Sequence, residues 1–314
     1  MGQMKVISLF SGCGGSSLGY QLAGGKILLA VEWDQNAVDT YRLNFPDTPV
    51  WHGDIAQLSA EKIFRLTNLK PGELDILDGS PPCQGFSTAG KRILDDPRNS
   101  LFQEYVRILK ALQPKVLVME NVSGMVKGKM KLVFVEILKA LKESGYNVRA
   151  RLLNAMYFNV PQSRQRMIFI GTRKDLDIKP SHPRPQTRPI PFGKACEGLE
   201  IKDWKPITGK WAELWKKTKK GKSLGSVTND GWFSHRKMAF SDVGSTVLKC
   251  SYLLHPSEPR LLDVMELKRI SSYPDDYGFP GSYSLNLAQI GNSVPPNFMR
   301  AIAEHVRDEI LKIS

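Results

Sequence analysis

Lys5-Val6-Ile7-Ser8-Leu9-Phe10-Ser11-Gly12-Cys13-Gly14-Gly15 is the stretch that decides the fold. An apolar run of strand length, residues 5–10, gives way to a glycine-rich turn, and a helical pattern follows to about residue 23. Glycine lets a backbone take left-handed angles and pass close to a ligand, and the start of a helix attracts a negative group. Taken alone, the turn fits any tight bend in an α/β domain, and several kinds of nucleotide cofactor use it. Working outward, residues 27–33 read as a second strand and 35–44 as a second helix. Further strand-like runs at 74–78, 115–120 and 166–172 are separated by helical patterns at 100–112 and 130–143. Strands spaced by helices predict an α/β fold with a doubly wound, mostly parallel sheet.

The alternation then stops. Five prolines fall between residues 180 and 191, which neither a helix nor a central strand tolerates, so this stretch reads as an extended linker. Beyond it come Trp204, Trp211, Trp215 and Trp232 and the lysines Lys216, Lys217, Lys219, Lys220 and Lys222. The reading is a second, smaller domain over roughly 179–258. Helical patterns return at 262–271 and 296–313, the last with proline in its first turn.

The chain of 314 residues carries a net charge of +13. Residues 173–260 hold 18 Lys and Arg against 9 Asp and Glu, which leaves only +4 for the other 226 residues. A basic region on a near-neutral body suits a polyanion such as nucleic acid, though a solvated basic face is the alternative. No apolar run reaches the roughly 20 residues of a membrane helix. The opening residues lack a secretory leader's basic head, and Val6 stands where N-myristoylation needs Ser or Thr. Met4 is a candidate native start. Four cysteines without a CxxC pair (Cys13, Cys83, Cys196, Cys250) argue against a zinc ribbon or dithiol site and for a reducing cytoplasm; no metal is expected.

Several constellations carry chemistry. Glu32, beside Trp33, ends the second strand, and Asp54 follows Gly53. An acid about 20 residues past such a turn is where α/β sheets hold a ribose diol, and Trp33 offers a face to a purine. A capping acid and a core tryptophan are the bland alternative. Gly79-Ser80-Pro81-Pro82-Cys83-Gln84-Gly85-Phe86-Ser87 follows a strand, where such sheets build their sites. A free thiol titrates at about 8.5, so a catalytic Cys83 needs activation; an inert buried cysteine fits the sequence as well. Glu120-Asn121-Val122 closes the next strand, and its carboxylate would stand beside the Cys83 loop if the two strands are neighbours. In Gln162-Ser163-Arg164-Gln165-Arg166 the arginines alternate, so both are expected on one side of a strand, as guanidinium forks for a base carbonyl or a phosphate. Gln289-Ile290-Gly291-Asn292-Ser293-Val294-Pro295-Pro296 reads as a turn into the last helix.

Taken in order, these residues resemble the cytosine-5 DNA methyltransferase family, of the prokaryotic restriction-modification type. The glycine turn, Glu32-Trp33, Asp54-Ile55, Pro82-Cys83-Gln84, Glu120-Asn121-Val122, Gln162 with Arg164 and Arg166, and Gly291-Asn292-Ser293-Val294 follow the family's order. The resemblance covers about 1–172 and 259–314. It implies a Rossmann-like catalytic and cofactor-binding domain over 1–178, a target-recognition domain over 179–258, and a hinge and C-terminal helix over 259–314 returning to the catalytic domain. The family's Thr-x-Arg-Glu element is here Asp263-Val264-Met265-Glu266, flanked by Arg260 and Arg269, so only Glu266 matches.

The resemblance also implies roles. Cys83 attacks carbon 6 of a flipped-out cytosine, Glu120 protonates the ring, Arg164 holds the base's carbonyl oxygen, and Arg166 supports the site. S-adenosyl-L-methionine is the cofactor. Phe10, Ser11, Gly12, Cys13, Gly14 and Gly15 hold it, with Glu32 on the ribose, Trp33 on adenine, Asp54 and Ile55 on the adenine edge, and Asn292 near the methionine end. Pro82 and Leu101 are further candidates. Gln84, Ser87, Lys91 and Arg92 in the cysteine loop and Lys216, Lys217, Lys219 and Lys220 in the insert are the expected DNA contacts. The implied partners are double-stranded DNA and, functionally, a restriction endonuclease, for a monomeric enzyme in a prokaryotic or phage-infected cytoplasm near the nucleoid. The family's tRNA-modifying branch and a catalytically silent DNA-binding relative are the alternatives. The form Gly85-Phe86-Ser87 favours DNA over the first, and the intact Cys83, Glu120 and Arg164 argue against the second.

Overall fold

The computed structural model describes residues 3–82, 100–126, 128, 130–228 and 235–312. Cys83, Gln84, Ser87, Lys91, Arg92, Trp232 and Ile313 lie outside the described residues. In chain order the first part runs β1 (Lys5–Leu9), α1 (Gly15–Leu22), β2 (Lys26–Glu32), α2 (Gln35–Asn44), β3 (Val50–His52), α3 (Ala60–Thr67) and β4 (Ile76–Gly79). It continues with α4 (Ser100–Leu112), β5 (Val116–Val122), α5 (Met130–Glu143), β6 (Tyr146–Asn154) and β7 (Gln165–Arg173).

These strands form a seven-stranded sheet ordered β3-β2-β1-β4-β5-β7-β6. The pairs β1–β2, β2–β3, β1–β4 and β4–β5 are parallel, and β5–β7 is antiparallel. The chain winds outward from β1 to β3, then crosses to the other side of β1. The strand order therefore reverses between β1 and β4, the place where doubly wound sheets open a crevice at their carboxyl ends. Helices cover both faces, so β1 and β5 bury both sides and read as continuous apolar runs. Ile7, Leu9, Leu29, Leu77, Leu117, Met119 and Phe169 meet Ile108 and Leu109 of α4 and Val133, Ile137 and Leu141 of α5 in one core. The four-residue spacing of those α5 residues sets one helical stripe inward, and Leu132 and Val135 on the other side are exposed.

By its contacts the chain forms two compact units, Met1–Leu153 with Gln165–Arg184 and Met299–Ser314, and Asn154–Arg164 with Pro185–Phe298. The second unit thus includes the insert from residue 185 on, together with 154–164 and 259–298. It carries α6 (Phe192–Ala195), α7 (Gly209–Lys217), the two-stranded parallel pair β8 (Arg236–Lys237) and β9 (Leu253–Leu254), α8 (Val264–Ile270) and α9 (Tyr283–Asn292). The final helix, α10 (Pro296–His305), continues as a π-helical stretch, Val306–Leu311, so it is not α-helical throughout 296–313. Residues 179–190 form neither helix nor strand, as their prolines dictate.

One sequence expectation is corrected here. Gln289 to Asn292 are not a turn but the last turn of α9, which Ser282 caps by accepting from Leu285 N at 3.3 Å. Only 293–295 bend, because Pro295 and Pro296 cannot continue the helix behind them. At Gly291 the backbone passes close to another segment: a Cβ there would meet the Leu248 carbonyl carbon at 2.7 Å and Lys249 N at 2.8 Å. In α8, Asp263 fills the cap position and Glu266 completes a capping box. Asp caps a helix as well as Thr does, and Arg260 forks onto Glu266 at 2.6 and 3.1 Å.

Candidate active site

The carboxyl end of β1 turns abruptly. Phe10 sits at φ 56°, a left-handed conformation for a non-glycine residue, followed by Gly12 at φ 56° and Gly14 at φ 92°. Strained backbone of this kind persists where surrounding structure over-determines it, and it concentrates at ligand sites. Gly12 N donates to Glu32 Oε2 at 2.8 Å, while Trp33 N and Asp34 N donate to Oε1 at 2.9 and 3.0 Å. One carboxylate at the end of β2 thus pins the glycine turn and its own following loop. Asp34 then caps α2, accepting from Ala37 N at 2.9 Å, and Asp54 caps a 3₁₀ turn, Ile55–Gln57, accepting from Ala56 N at 2.9 Å.

These ends enclose a cavity of about 360 Å³ lined by Phe10, Val31, Glu32, Trp33, Gly53, Asp54, Ile55, Pro82 and Leu101. Seven of the nine are residues the sequence singled out for the cofactor. Val31 and Gly53 were not, though each adjoins one that was. Ser11 to Gly15 form the adjoining turn. Trp33 is 77% exposed, a large apolar side chain held in water at the cavity's edge. Asn292 belongs to the second unit.

The second part of the site lies at the ends of β4 and β5. These are neighbouring parallel strands in register, Gly79 opposite Met119. The two prolines after Gly79 lead the chain to Cys83. Asn121 Nδ2 donates to Pro81 O at 3.1 Å, tying that approach to the segment carrying Glu120. β5, which carries Glu120, is therefore the neighbour of β4, the strand that leads toward Cys83.

Across the sheet, Val122 of β5 faces Arg166 of β7 and Glu120 faces Ile168. Glu120 and Arg166 are diagonal neighbours on one face, within reach for long side chains. Arg166 Nε meets Glu120 Oε1 at 2.7 Å, with side chains only 13% and 10% exposed.

Arg164 behaves differently. It precedes β7 and belongs to the second unit, so strand alternation does not apply to it. It is 2% exposed, and its Nη1 and Nη2 donate to Val247 O (3.0 Å), Gly291 O (2.9 Å) and Ser293 O (2.8 Å). The expectation that both arginines lie on one strand is corrected, because β7 begins at Gln165. Arg166 stands beside the carboxylate, and Arg164 braces the end of α9. Gln162 does similar work, donating to Ser271 Oγ at 2.9 Å and accepting from Val247 N at 3.2 Å.

In the second unit, Lys216 and Lys217 end α7, and Lys219 and Lys220 follow its cap; all four are exposed. Lys220 also sits 5.7 Å over the Phe240 ring. Trp211 packs on His235 at 4.3 Å between ring centres, and Lys237 lies 3.7 Å over Trp215. Trp211 and Trp215 thus serve the packing of the insert.

The doubly wound sheet thus carries a glycine turn, a cavity lined in part by Glu32 and Asp54, and the Glu120–Arg166 pair on the strands beyond Pro81. Comparison with known proteins makes this specific. The family model for C-5 cytosine-specific DNA methylases matches residues 4–205 and 200–308, and the chain belongs to that family. It is 37% identical to the type II methyltransferase M1.HphI of Haemophilus parahaemolyticus over 323 residues, 96% of this chain and 86% of that protein. It is 33% identical to M.NgoPII of Neisseria gonorrhoeae, covering 97% of this chain and 95% of that one. A crystal structure of a protein encoded within an E. coli prophage, assigned as a DNA modification methyltransferase, superposes with a TM-score of 0.81 at 25% identity, over 98% of this chain and 99% of that one.

Proposed function

We propose that the chain transfers a methyl group from S-adenosyl-L-methionine to carbon 5 of a cytosine flipped out of duplex DNA, with Cys83 as the nucleophile. The observation that supports this is that Asn121 ties Pro81, two residues before Cys83, to the strand whose Glu120 pairs with Arg166. The residues lining the cavity fit the cofactor. Phe10, Trp33, Ile55, Pro82 and Leu101 offer flat apolar walls for adenine, and Glu32 and Asp54 offer carboxylate acceptors for a ribose diol and an exocyclic amine. The size suits a small-molecule site. When bound, S-adenosylmethionine supplies a methyl group on a positive sulfur.

The protein's side chains do the rest. Carbon 5 of cytosine is a poor nucleophile. The Cys83 thiolate adds to carbon 6, a C–S bond forms, and the ring's electron pair moves toward carbon 5 as Glu120 gives the ring nitrogen a proton. The activated carbon 5 would take the methyl group that the cofactor, held by Phe10, Glu32, Trp33 and Asp54, would supply. Loss of the carbon-5 proton to water, return of the ring-nitrogen proton to Glu120 and cleavage of the C–S bond restore the thiolate. Arg166, 2.7 Å from Glu120, would hold it in place, and its guanidinium rather than Arg164's would meet the base's carbonyl oxygen. Arg164 donates three hydrogen bonds to the backbone of its own unit. Flipping the base costs a few kcal/mol, which contacts from the loop carrying Gln84, Ser87, Lys91 and Arg92 would offset. The deciding experiment is transfer of a tritiated methyl group to duplex DNA and to tRNA, followed by bisulfite sequencing. Label confined to cytosines of DNA is expected; label in tRNA alone refutes the reading.

Trp33→Ala should raise the Kd for S-adenosylmethionine by roughly 10-fold, the loss of one aromatic contact of about 1.4 kcal/mol. Because the side chain is exposed, the melting temperature should stay within about a degree. An unchanged Kd in a calorimetric titration would remove Trp33 from the site.

Lys216, Lys217, Lys219 and Lys220 are assigned to phosphate contact, which positions a protein without reading sequence. Neutralising all four should weaken binding to every duplex about equally and flatten the salt slope of affinity by about one unit per lost contact. The methylated sequence should not change. A wild-type salt slope in that variant would make the cluster a solvated face. The type II relatives support a restriction endonuclease as the functional partner.

A further inference from the structure

Beneath the glycine turn lies a polar cluster that the reaction scheme does not use. Asp78, near the end of β4, is 1% exposed. Its carboxylate accepts from Ser8 Oγ of β1 at 3.1 Å and from Tyr20 OH of α1 at 3.2 Å, and Ser16 of α1 is a third hydrogen-bonding partner. Tyr41 OH of α2 donates to Ser17 Oγ of α1 at 2.9 Å alongside. Ser8 stands two residues before Phe10, and Ser16 directly follows Gly15. One carboxyl group thus grips both flanks of the turn.

The groups facing it are Ser8 from β1, Ser16 and Tyr20 from α1, Tyr41 from α2, Tyr105 from α4 and Glu120 from β5. Burial pushes the three tyrosine hydroxyls up, so they stay neutral through the physiological range. Burial also pushes the Asp78 carboxyl up to about 7; hydrogen bonds from Ser8, Tyr20 and Ser16 pull it down, and Glu120 adds repulsion. A buried carboxylate without a cation is expensive, and an amide or apolar side chain would fill the space at lower cost. Groups of this kind concentrate where a site needs them.

We propose that Asp78 is a positioning residue for cofactor binding: as a carboxylate it holds Ser8, Ser16 and Tyr20 and so fixes the glycine turn, and when protonated it gives up an acceptor site and the turn loosens. The inference rests on reading the turn and cavity as the S-adenosylmethionine site. Affinity for the cofactor then rises with pH as Asp78 ionises. Stability moves the other way. The folded protein holds this proton more tightly than the unfolded chain, with a carboxyl at about 7 against the ordinary 3.8. The stability it contributes is therefore full below about pH 4 and is lost as pH rises to about 7.

The test is calorimetric titration of S-adenosylmethionine into the full chain between pH 6 and 8.5, for wild type, Asp78→Asn and Tyr20→Phe. The wild-type Kd should weaken below the midpoint, by at most about 10-fold per pH unit, the limit for one proton. Whatever pH dependence the ligand itself brings is common to all three proteins. Asp78→Asn should lack the step, and its melting temperature should exceed the wild type's above pH 7, the gap closing toward pH 4. A residue with only a packing role would lower the melting temperature at every pH. Tyr20→Phe removes a donor to the carboxylate and should move the midpoint to higher pH. The proposal is overturned if Asp78→Asn keeps the wild-type step, or, should that variant not fold, if Tyr20→Phe leaves the midpoint unmoved. No binding by wild type at any pH would instead refute the cofactor reading.

Discussion

Cys83→Ala is expected to abolish methyl transfer and to leave S-adenosylmethionine binding within about 2-fold of wild type. The two halves of this result follow from separate parts of the sheet. The cavity is built from the ends of β1, β2 and β3 with Pro82 and Leu101, and among the described residues no cysteine lines it. The chemistry depends on the thiol entirely, because carbon 5 becomes nucleophilic only after carbon 6 has been attacked. Removing a covalent nucleophile typically costs about 10⁶ in rate where the rest of the site cannot substitute. DNA containing 5-fluorocytosine at the target should trap the wild-type protein covalently, since fluorine cannot leave as a proton does. Peptide mass spectrometry should place the adduct on Cys83. An adduct on Cys13, Cys196 or Cys250 would end the assignment. Cys13 is buried within the glycine turn, and burial pushes the Cys196 thiol up to about 12, so neither is placed as a thiolate nucleophile.

The alternation of strands and helices, the glycine turn and the acids at the strand ends were legible because each rests on local rules. Parallel strands buried on both faces leave apolar runs such as those of β1 and β5, and glycine in a left-handed turn leaves Gly12 and Gly14. β6 was harder. Its Tyr146 and Val148 alternate with exposed Asn147 and Arg149, the pattern of a sheet-edge strand, weaker than a continuous run. α9 escaped because Asn286, Gly291 and Asn292 read as punctuation; the helix exists because Ser282 caps it and its residues Leu287 and Ile290 are buried. The two arginines show a limit of another kind. Alternation predicts facing only for residues inside one strand, and no local signal marks that β7 begins at Gln165 or that Arg164 is taken up by the carbonyls of 247, 291 and 293. Those partners lie 83 to 129 residues away along the chain. Asp78 was visible as a residue and invisible as a cluster, since Ser8 and Tyr20 meet it only once β1, α1 and β4 are assembled.

Glu120→Gln should lower the methyl-transfer rate by about 100-fold or more while DNA affinity changes by less than about 3-fold. Glutamine keeps the volume and one oxygen for Arg166, so the fold and the base-binding surface survive. It cannot deliver a proton to the ring as charge develops, and a group that acts mainly in the transition state is seen in rate rather than in affinity. Single-turnover measurements, with DNA binding followed separately by fluorescence anisotropy, divide the two. Arg166 gives the complementary result. Arg166→Ala leaves the buried Glu120 carboxylate without its partner at 2.7 Å, and breaking such a pair costs about 3–5 kcal/mol, so rate and stability should fall together. Arg166→Lys restores the charge without the planar fork, and should recover stability ahead of activity. Arg164→Lys tests the division between the two arginines. Its three backbone contacts lie within the second unit, so its loss should lower the melting temperature by several degrees with a smaller effect on single-turnover rate than Arg166→Lys. If Arg164→Lys is instead the more damaging to rate at full stability, Arg164 is the residue that meets the base, and Arg166 only holds Glu120.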